Sequence, residues 1–346
     1  MMRLLLYLLK YIAALVFCHL VLLSVHADSH FTNVTTFARI DYDQGDPINL
    51  PISITQQMTG GAAARDFDSD GWPDLVVTRF DDAPILYRNM RNGTFDDVTA
   101  AAGLGVMTSH NNGVAWGDVD NDGHADLYIM SALPSQPHHL FMNRGDGMFD
   151  EEAMIRGASV ATMEAVRYGT SVAFGDYDRD GWLDIHVNEW GHPTQPPALK
   201  SHARLLRNNG ADIPGTFSDV TLSSGVYLDN MLGSSREDID MPFVLSFASR
   251  FTDLDQDGYP DLVIASDFNT SRLYWNNRDG TFTDGTTASN FGTDENGMGL
   301  AVGDYDADGQ LDVFITSIYH TDPSGQDHNE GGKLGSHGEP PVPQHG

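Results

Sequence analysis

Aspartate residues recur in a nine-residue pattern, Asp-x-Asp-x-Asp-Gly-x-x-Asp, that occurs five times in this chain. Four carboxylates so close together repel one another unless a hard cation lies between them. Calcium suits this set best because it accepts many oxygen ligands at flexible angles and needs neither nitrogen nor sulfur. The glycine at position six permits the sharp bend that returns the chain around an ion. The predicted ligands, at positions one, three, five and nine, are Asp66, Asp68, Asp70 and Asp74; Asp118, Asp120, Asp122 and Asp126; Asp176, Asp178, Asp180 and Asp184; Asp253, Asp255, Asp257 and Asp261; and Asp304, Asp306, Asp308 and Asp312.

We call these segments the first to fifth loops and number their positions from one to nine. A backbone carbonyl is the predicted fifth ligand, at position seven, because the residue type there varies freely. Those residues are Trp72, His124, Trp182, Tyr259 and Gln310. We therefore expect about five structural calcium ions, one in each loop.

The EF-hand shares the first six positions of this pattern, but it closes with a bidentate glutamate at position twelve. Here position twelve is always β-branched and apolar. It is Val77, Ile129, Val187, Ile264 or Ile315. Short apolar runs lie on both sides of each loop, such as Val114–Trp116 before the second loop and Leu127–Met130 after it. These runs predict β-strands and not helices, so each loop is expected to join two strands.

A second signature follows each of the first four loops and predicts a β-hairpin, as in Leu86–Asn89 and Gly93–Thr99. One repeat would then hold four strands. The first aspartates of successive loops are 52, 58, 77 and 51 residues apart. Four-stranded units at this period are typical of β-propeller blades. The sequence predicts an all-β propeller with five evident blades, the fifth without a recognisable hairpin. Phe31–Thr35 matches a last strand and is a candidate to close the ring; otherwise the propeller is incomplete.

Three segments are predicted along the chain: a signal peptide at residues 1–27, the propeller at residues 28–319 and a disordered polar tail at residues 320–346. An uncleaved membrane anchor is the alternative for the first segment. The polar insert Leu228–Asp240 is expected to be a surface loop. The single cysteine, Cys18, lies in the signal segment, so calcium would replace disulfides as the stabilising cross-link.

The net charge of the chain is −30, and it becomes −32 without residues 1–27, which hold two basic residues and no acidic one. Such an acidic chain is not expected to bind nucleic acid or anionic membranes. Asn33, Asn92 and Asn269 begin Asn-x-Ser/Thr sequences and are glycosylation acceptors if the protein is secreted by a eukaryote.

With these motifs, the chain resembles the FG-GAP/VCBS repeat family, which includes the propellers of integrin α-subunits. Gly299–Asp304 and the hairpin signature look most like the cartilage acidic protein group of that family. The resemblance covers about residues 31–318. It implies a β-propeller, calcium in the inter-strand loops and an extracellular binding or adhesion role. The family's Phe-Gly element is intact only at Phe174-Gly175, and integrin-type propellers have more blades than the five seen here.

Other constellations are better explained by structure than by function. Arg144-Gly145-Asp146 spells an integrin-binding tripeptide, but turns rich in Arg, Asn, Asp and Gly follow the same strand in other repeats. His138, His139, His186, His192 and His202 are interpreted as a chance cluster and not as a metal or catalytic site. No nucleophile or phosphate-binding motif is present. We therefore expect a secreted, non-enzymatic module for an extracellular protein or glycan, attached to membranes only if its N-terminal segment stays uncleaved. A calcium-dependent enzyme acting on polysaccharide or lipid is the alternative.

Overall fold

The computed structural model describes residues 31–44, 60–80, 82–107, 110–132, 136–159, 167–191, 203–226, 246–267, 270–293 and 296–317. Several predictions lie outside these residues. They concern the signal peptide at residues 1–27, the insert Leu228–Asp240, the tail at residues 320–346, and Asn269, His192 and His202. The chain divides into two compact units, residues 1–41 and 42–346.

The smaller unit contains one turn of helix, α1 (Thr35–Ala38), and no strand at Phe31–Thr35 among its described residues. The strand predicted for this segment is therefore wrong, whereas closure of the ring stays a prediction. In the other repeats the matching three-residue strand forms by pairing with a longer hairpin partner. The turn that follows it is retained, because Asn33 Oδ1 accepts a hydrogen bond from Thr35 N, as Asp97 Oδ1 does from Thr99 N.

The described residues of the larger unit form four four-stranded antiparallel sheets and a fifth sheet of two strands, each in simple sequential order. This arrangement confirms the predicted all-β class and the four-stranded repeat. The first sheet holds β1 (Ala62–Arg65), β2 (Asp74–Val77), β3 (Ile85–Asn89) and β4 (Phe95–Asp97). The second holds β5 (Asn111–Gly117), β6 (Asp126–Ser131), β7 (His139–Asn143) and β8 (Phe149–Glu151). The third holds β9 (Arg167–Gly175), β10 (Asp184–Gly191), β11 (Ala203–Asn208) and β12 (Phe217–Asp219). The fourth holds β13 (Ser246–Thr252), β14 (Asp261–Ser266), β15 (Arg272–Asn276) and β16 (Phe282–Asp284), and the fifth holds β17 (Gly297–Gly303) and β18 (Asp312–Ser317).

Each aspartate loop connects the first and second strands of its sheet. The residue before position one pairs with the aspartate at position nine, as in Gly117 with Asp126 and Gly175 with Asp184. The same closing pair is present in all five sheets. The rigid ladder therefore fixes both ends of every loop.

The core lies between successive sheets. Their first strands are neighbours: β1 contacts β5, β5 contacts β9, β9 contacts β13, and β13 contacts β17. Gly113 shows how close they come, because a Cβ there would lie 2.5 Å from the Thr170 carbonyl oxygen. Aromatic side chains at position two pack on the next sheet, with ring centroids 6.4 Å apart for Phe67 and Trp116. Alternating strand residues fill these apolar layers, which is the packing of propeller-type blades.

The fifth sheet differs because one of its faces is exposed. Tyr305 occupies position two of the fifth loop, yet its exposed fraction is 61%. The matching residues in the other loops are buried, with exposed fractions of 0–7%: Phe67, Val119, Tyr177 and Leu254. The described part of the chain contains no helix with the length and apolar character that a membrane span requires.

Candidate metal centres

Backbone N–H groups hold the aspartates of each loop in a common arrangement. In the first loop, Gly71 N donates to Asp66 Oδ2 at 2.7 Å and Trp72 N donates to Asp70 Oδ1 at 3.0 Å. The glycine at position six has φ near 90° in all five loops, a conformation that only glycine adopts readily. Position four also has positive φ, between 55° and 61°, although no glycine is present there. The bend predicted from the sequence is therefore made by two left-handed residues.

Three aspartates converge in each loop, with one carboxylate oxygen from each lying within 4.8 Å of the others. Positions one, three and five converge in the first, second and fifth loops, and positions one, three and nine in the third and fourth. The groups are Asp66, Asp68 and Asp70; Asp118, Asp120 and Asp122; Asp176, Asp178 and Asp184; Asp253, Asp255 and Asp261; and Asp304, Asp306 and Asp308. The fourth predicted aspartate of each loop lies outside these groups.

Three aspartates of these groups each have one buried oxygen that accepts no hydrogen bond: Asp68 Oδ1, Asp120 Oδ1 and Asp176 Oδ1. A buried carboxylate oxygen without a donor is costly, because it loses water and gains nothing in exchange. A cation among the three carboxylates would remove that cost. Because the donors are all oxygens, the residues fit calcium better than a transition metal.

The carboxylate at position nine also holds the loop to its sheet. Asp126 Oδ2 accepts from Val119 N at 2.9 Å, and Asp126 Oδ1 accepts from Asn143 N at 2.8 Å. Burial raises the pKa of this carboxyl to about 7, and it raises the pKa of Asp184 to about 8 and of Asp74 to about 6. Burial therefore stabilises the neutral form of these carboxyls relative to their ionised form.

A contact that recurs between repeats involves the asparagine at the end of the third strand of a sheet. Asn143 donates through Nδ2 to the carbonyl of Phe67 in the previous loop, at 2.9 Å. Asn208 and Asn276 make the same backward bond, to the Val119 and Tyr177 carbonyls. The recurring Leu-x-x-Asn of the hairpins was visible in the sequence, but its role in joining neighbouring loops was not predicted.

Arginine side chains reach three of the five loops. Arg88 pairs with Asp68 at 2.5 Å in the first loop, where Arg91 also pairs with Asp70 at 2.8 Å. In the third and fourth loops, Arg207 pairs with Asp178 at 2.6 Å and Arg278 pairs with Asp257 at 2.5 Å. In the described residues, the second and fifth loops have no such ion pair. The five loops therefore share one motif but differ in how far arginine side chains offset the negative charge of their aspartates.

The three described histidines of the predicted cluster have separate polar contacts. His138 is buried, with Nε2 at 3.1 Å from Glu189 Oε1, whereas His139 contacts Glu151 at 3.5 Å. His186 lies between the third and fourth sheets, where Nδ1 is 2.8 Å from Ser249 Oγ. Burial lowers the pKa of His186 to about 3, so this side chain is neutral. The interpretation of the five histidines as a chance cluster stays a prediction, since His192 and His202 lie outside the described residues.

Arg144-Gly145-Asp146 forms an exposed hairpin tip. Arg144 lies 3.8 Å from Asp146 Oδ2 and 3.7 Å from Asp150 Oδ1. Gly145 has φ 72°, and a Cβ at this position would lie 2.5 Å from His124 Nε2. The glycine therefore suits the left-handed turn, although Arg91 adopts the same conformation at the matching position of the first repeat.

Comparison with known families supports the repeat seen in the loops. A profile of the FG-GAP-like repeat matches residues 66–129 and 253–315. Each match begins at position one of a loop and ends at position twelve of the next. This chain carries FG-GAP-like repeats.

Curated relatives of the repeat region include cartilage acidic protein 1 of Homo sapiens, 31% identical over 121 residues. That alignment covers 35% of this chain and 17% of the relative. Cartilage acidic protein 1 of Xenopus tropicalis is 32% identical over 97 residues, which are 28% of this chain and 14% of that protein. The aligned part therefore spans less than a fifth of either relative.

Solved structures with a similar fold include an Agrocybe aegerita lectin that recognises non-reducing terminal N-acetylglucosamine. It has 17% identity and a TM-score of 0.41, over 81% of this chain and 66% of the lectin. A Bacillus licheniformis rhamnogalacturonan lyase has 14% identity and a TM-score of 0.40, over 77% of this chain and 47% of the lyase.

Proposed function

We propose that this chain is a secreted calcium-binding module that binds an extracellular protein or glycan and catalyses no reaction. One observation carries the proposal: five equivalent loops each bring three carboxylates together, with buried oxygens that no hydrogen bond satisfies in three of them. Calcium would neutralise these groups and rigidify the loops.

In the first, second and fifth loops the ion would be held by the aspartates at positions one, three and five, and in the third and fourth loops by those at positions one, three and nine. The carbonyl at position seven would complete the set. Extracellular sites of this kind bind calcium at about 10⁻⁴–10⁻³ M, which matches the millimolar calcium outside cells. The ions would stabilise the fold and take no part in a chemical step.

The acidic character of the chain and the name of its relatives support an extracellular setting and a partner other than nucleic acid. A net charge of −30 repels phosphate backbones. Two of the predicted glycosylation acceptors, Asn33 and Asn92, are exposed. Rigid sheets that carry loops at fixed positions are suited to present a binding surface.

The test is calcium-dependent retention of the secreted protein on arrays of extracellular proteins and glycans. We expect retention in millimolar calcium, loss of retention in chelator, and no cleavage of any bound polysaccharide. The double variant Asp120→Asn, Asp178→Asn should lose retention, whereas Asp150→Asn, an exposed residue outside the loops, should keep it. Retention that chelator does not change would contradict the role of calcium, and turnover of a polysaccharide would favour the enzymatic alternative.

A further inference from the structure

Side chains at position four connect neighbouring aspartate loops. Asn121 of the second loop donates through Nδ2 to the carbonyl of Gly181 in the third loop, at 2.9 Å. Gln256 of the fourth loop donates through Nε2 to the carbonyl of Gly309 in the fifth loop, at 2.8 Å. In both pairs the acceptor is position six of the next loop, so the contact repeats from sheet to sheet.

Arg179, at position four of the third loop, makes a related contact. Its guanidinium lies 5.1 Å from the ring centroid of Tyr259, at position seven of the fourth loop. A cation at this distance over an aromatic face is attracted to it. The second, third, fourth and fifth loops are thus connected in series.

The residues at position four have a positive φ, which is uncommon for residues other than glycine. Arg179 and Gln256 both have φ of 60°, in the left-handed region where glycine and asparagine are more comfortable. A glycine would fit the loop with less strain. Ser69 and Ala307 adopt the same conformation in the first and fifth loops, so the turn itself does not select a long polar side chain, and the contact with the next loop gives these side chains a role.

The bridged peptide also holds the aspartate at position five of the next loop. The peptide unit whose carbonyl accepts from Asn121 also carries Trp182 N–H, which donates to Asp180 Oδ1 at 3.0 Å. In the fifth loop, Gln310 N donates to Asp308 Oδ1 at 2.8 Å. A hydrogen bond at one end of a peptide strengthens the bond at its other end and restrains its orientation. Position four of one loop thereby restrains a carboxylate of the next.

We propose that these position-four side chains couple the calcium sites, so that ion binding at the second to fifth loops is cooperative. The inference rests on the proposed function, since it requires that the loops bind calcium. An ion in the second loop orders Asp120 and Asp122, which flank Asn121. The ordered Asn121 then restrains the Gly181 peptide, so that the third loop loses less conformational entropy when its own ion binds. By linkage, an ion in the third loop strengthens binding at the second by the same factor.

The first loop provides an internal contrast. Its position four is Ser69, and in the described residues the hydroxyl of Ser69 makes no hydrogen bond to the second loop. Calcium at the first loop is therefore expected to bind without this coupling to the second.

The test follows each loop separately by NMR of the full secreted chain, labelled with ¹⁵N-glycine and titrated with calcium. Every loop offers one reporter, because the position-six glycine donates its N–H to the position-one aspartate in all five loops. In the protein that keeps Asn121, the change Asp122→Asn in the second loop should weaken calcium binding at the third loop, which Gly181 reports. The expected effect is about two- to tenfold, the range of one net hydrogen bond.

Asn121→Gly should remove that effect of Asp122→Asn, because it deletes the contact and suits the left-handed backbone. Gln256→Gly should likewise uncouple calcium binding at the fifth loop from calcium binding at the fourth. Ser69→Gly is the matched control, and it should leave the second loop unchanged.

The outcomes separate the two proposals. If no position-six glycine responds to calcium, the proposed function fails. If all five respond but Asp122→Asn leaves the third loop unchanged, or if Asn121→Gly does not alter its effect, the sites are independent and the coupling is wrong. An effect of Ser69→Gly on the second loop equal to that of Asn121→Gly on the third would also overturn it.

Discussion

The first and second loops share one aspartate pattern but have different neighbours. Arg88 and Arg91 pair with the carboxylates of the first loop, from the third strand and from the hairpin turn after it. The second repeat has Met142 and Gly145 at the matching positions. Its nearby arginine, Arg144, pairs with Asp146 and Asp150 instead.

This difference shows that a metal-binding motif does not by itself set the strength of its site. Two guanidinium groups partly neutralise the first loop before any cation arrives. The second loop has no arginine ion pair of this kind among the described residues; burial raises the pKa of Asp120 and outweighs Arg156, which lowers it. Because calcium affinity rises with the negative charge of the ligand set, we expect the second loop to bind calcium more tightly than the first.

The largest expected effect concerns Asp126, which anchors the second loop to its sheet. Asp126→Ala would leave Val119 N and Asn143 N buried without their acceptors. We expect the free energy of unfolding in calcium to fall by about 3 kcal/mol. Denaturant unfolding would measure this, with the exposed Asp150→Ala as the control.

Asp74→Ala is the matched change in the first loop, and it should cost less. The pKa of Asp74, about 6, is raised less by burial than that of Asp126, about 7, so its carboxyl is less desolvated. An equal or larger cost at Asp74 would contradict the contrast between the two loops.

A change of pH in the absence of calcium should have an intermediate effect on the stability of the fold. The folded pKa of Asp126 is about 7, above the ordinary value of 3.8. A raised folded pKa means that the neutral carboxyl stabilises the fold. That contribution is complete below about pH 4 and is lost as the pH rises through 7. The melting temperature in chelator should therefore fall between pH 5 and pH 8.

Two controls sharpen the pH experiment. Asp126→Asn cannot ionise, so it should reduce the slope of stability against pH. Added calcium stabilises the ionised carboxylates, so the rise in melting temperature that it produces should increase with pH. A melting temperature in chelator that climbs from pH 5 to pH 8 would contradict the pKa direction.

The smallest expected effect comes from exchanging the arginine between the loops. Arg88→Met should strengthen calcium binding at the first loop, and Met142→Arg should weaken it at the second. Exposed ion pairs contribute little, so each shift should be about two- to fivefold. Gly71 and Gly123 report the two sites separately in an NMR titration. Shifts in the opposite directions would refute the role given to the arginines.

The sequence predicted the parts of this molecule that depend on neighbours along the chain. The alternation of apolar residues and the Asp-Gly loops located β5 and β6, and the turn signals located β7 and β8. The fifth repeat was recognised as having no hairpin signature, and its described strands are β17 and β18. Local chemistry was sufficient because each loop is closed by its own sheet.

Contacts between repeats could not be predicted from the sequence pattern. Asn121 and Gly181 are 60 positions apart, and Asn143 and Phe67 are 76 apart, so nothing in either segment indicates the other. Phe31–Thr35 was misjudged for a related reason. A three-residue strand has almost no preference of its own and forms only when a partner strand is present.

The most direct test of the account is to count calcium ions by native mass spectrometry and to follow thermal unfolding of the same protein. We predict about five ions bound in millimolar calcium and a melting temperature that falls when chelator removes them. Asp120→Asn should reduce the count by one and lower the melting temperature in calcium. A protein that binds no calcium, or that melts at the same temperature in calcium and in chelator, would contradict the claim that these loops are structural calcium sites.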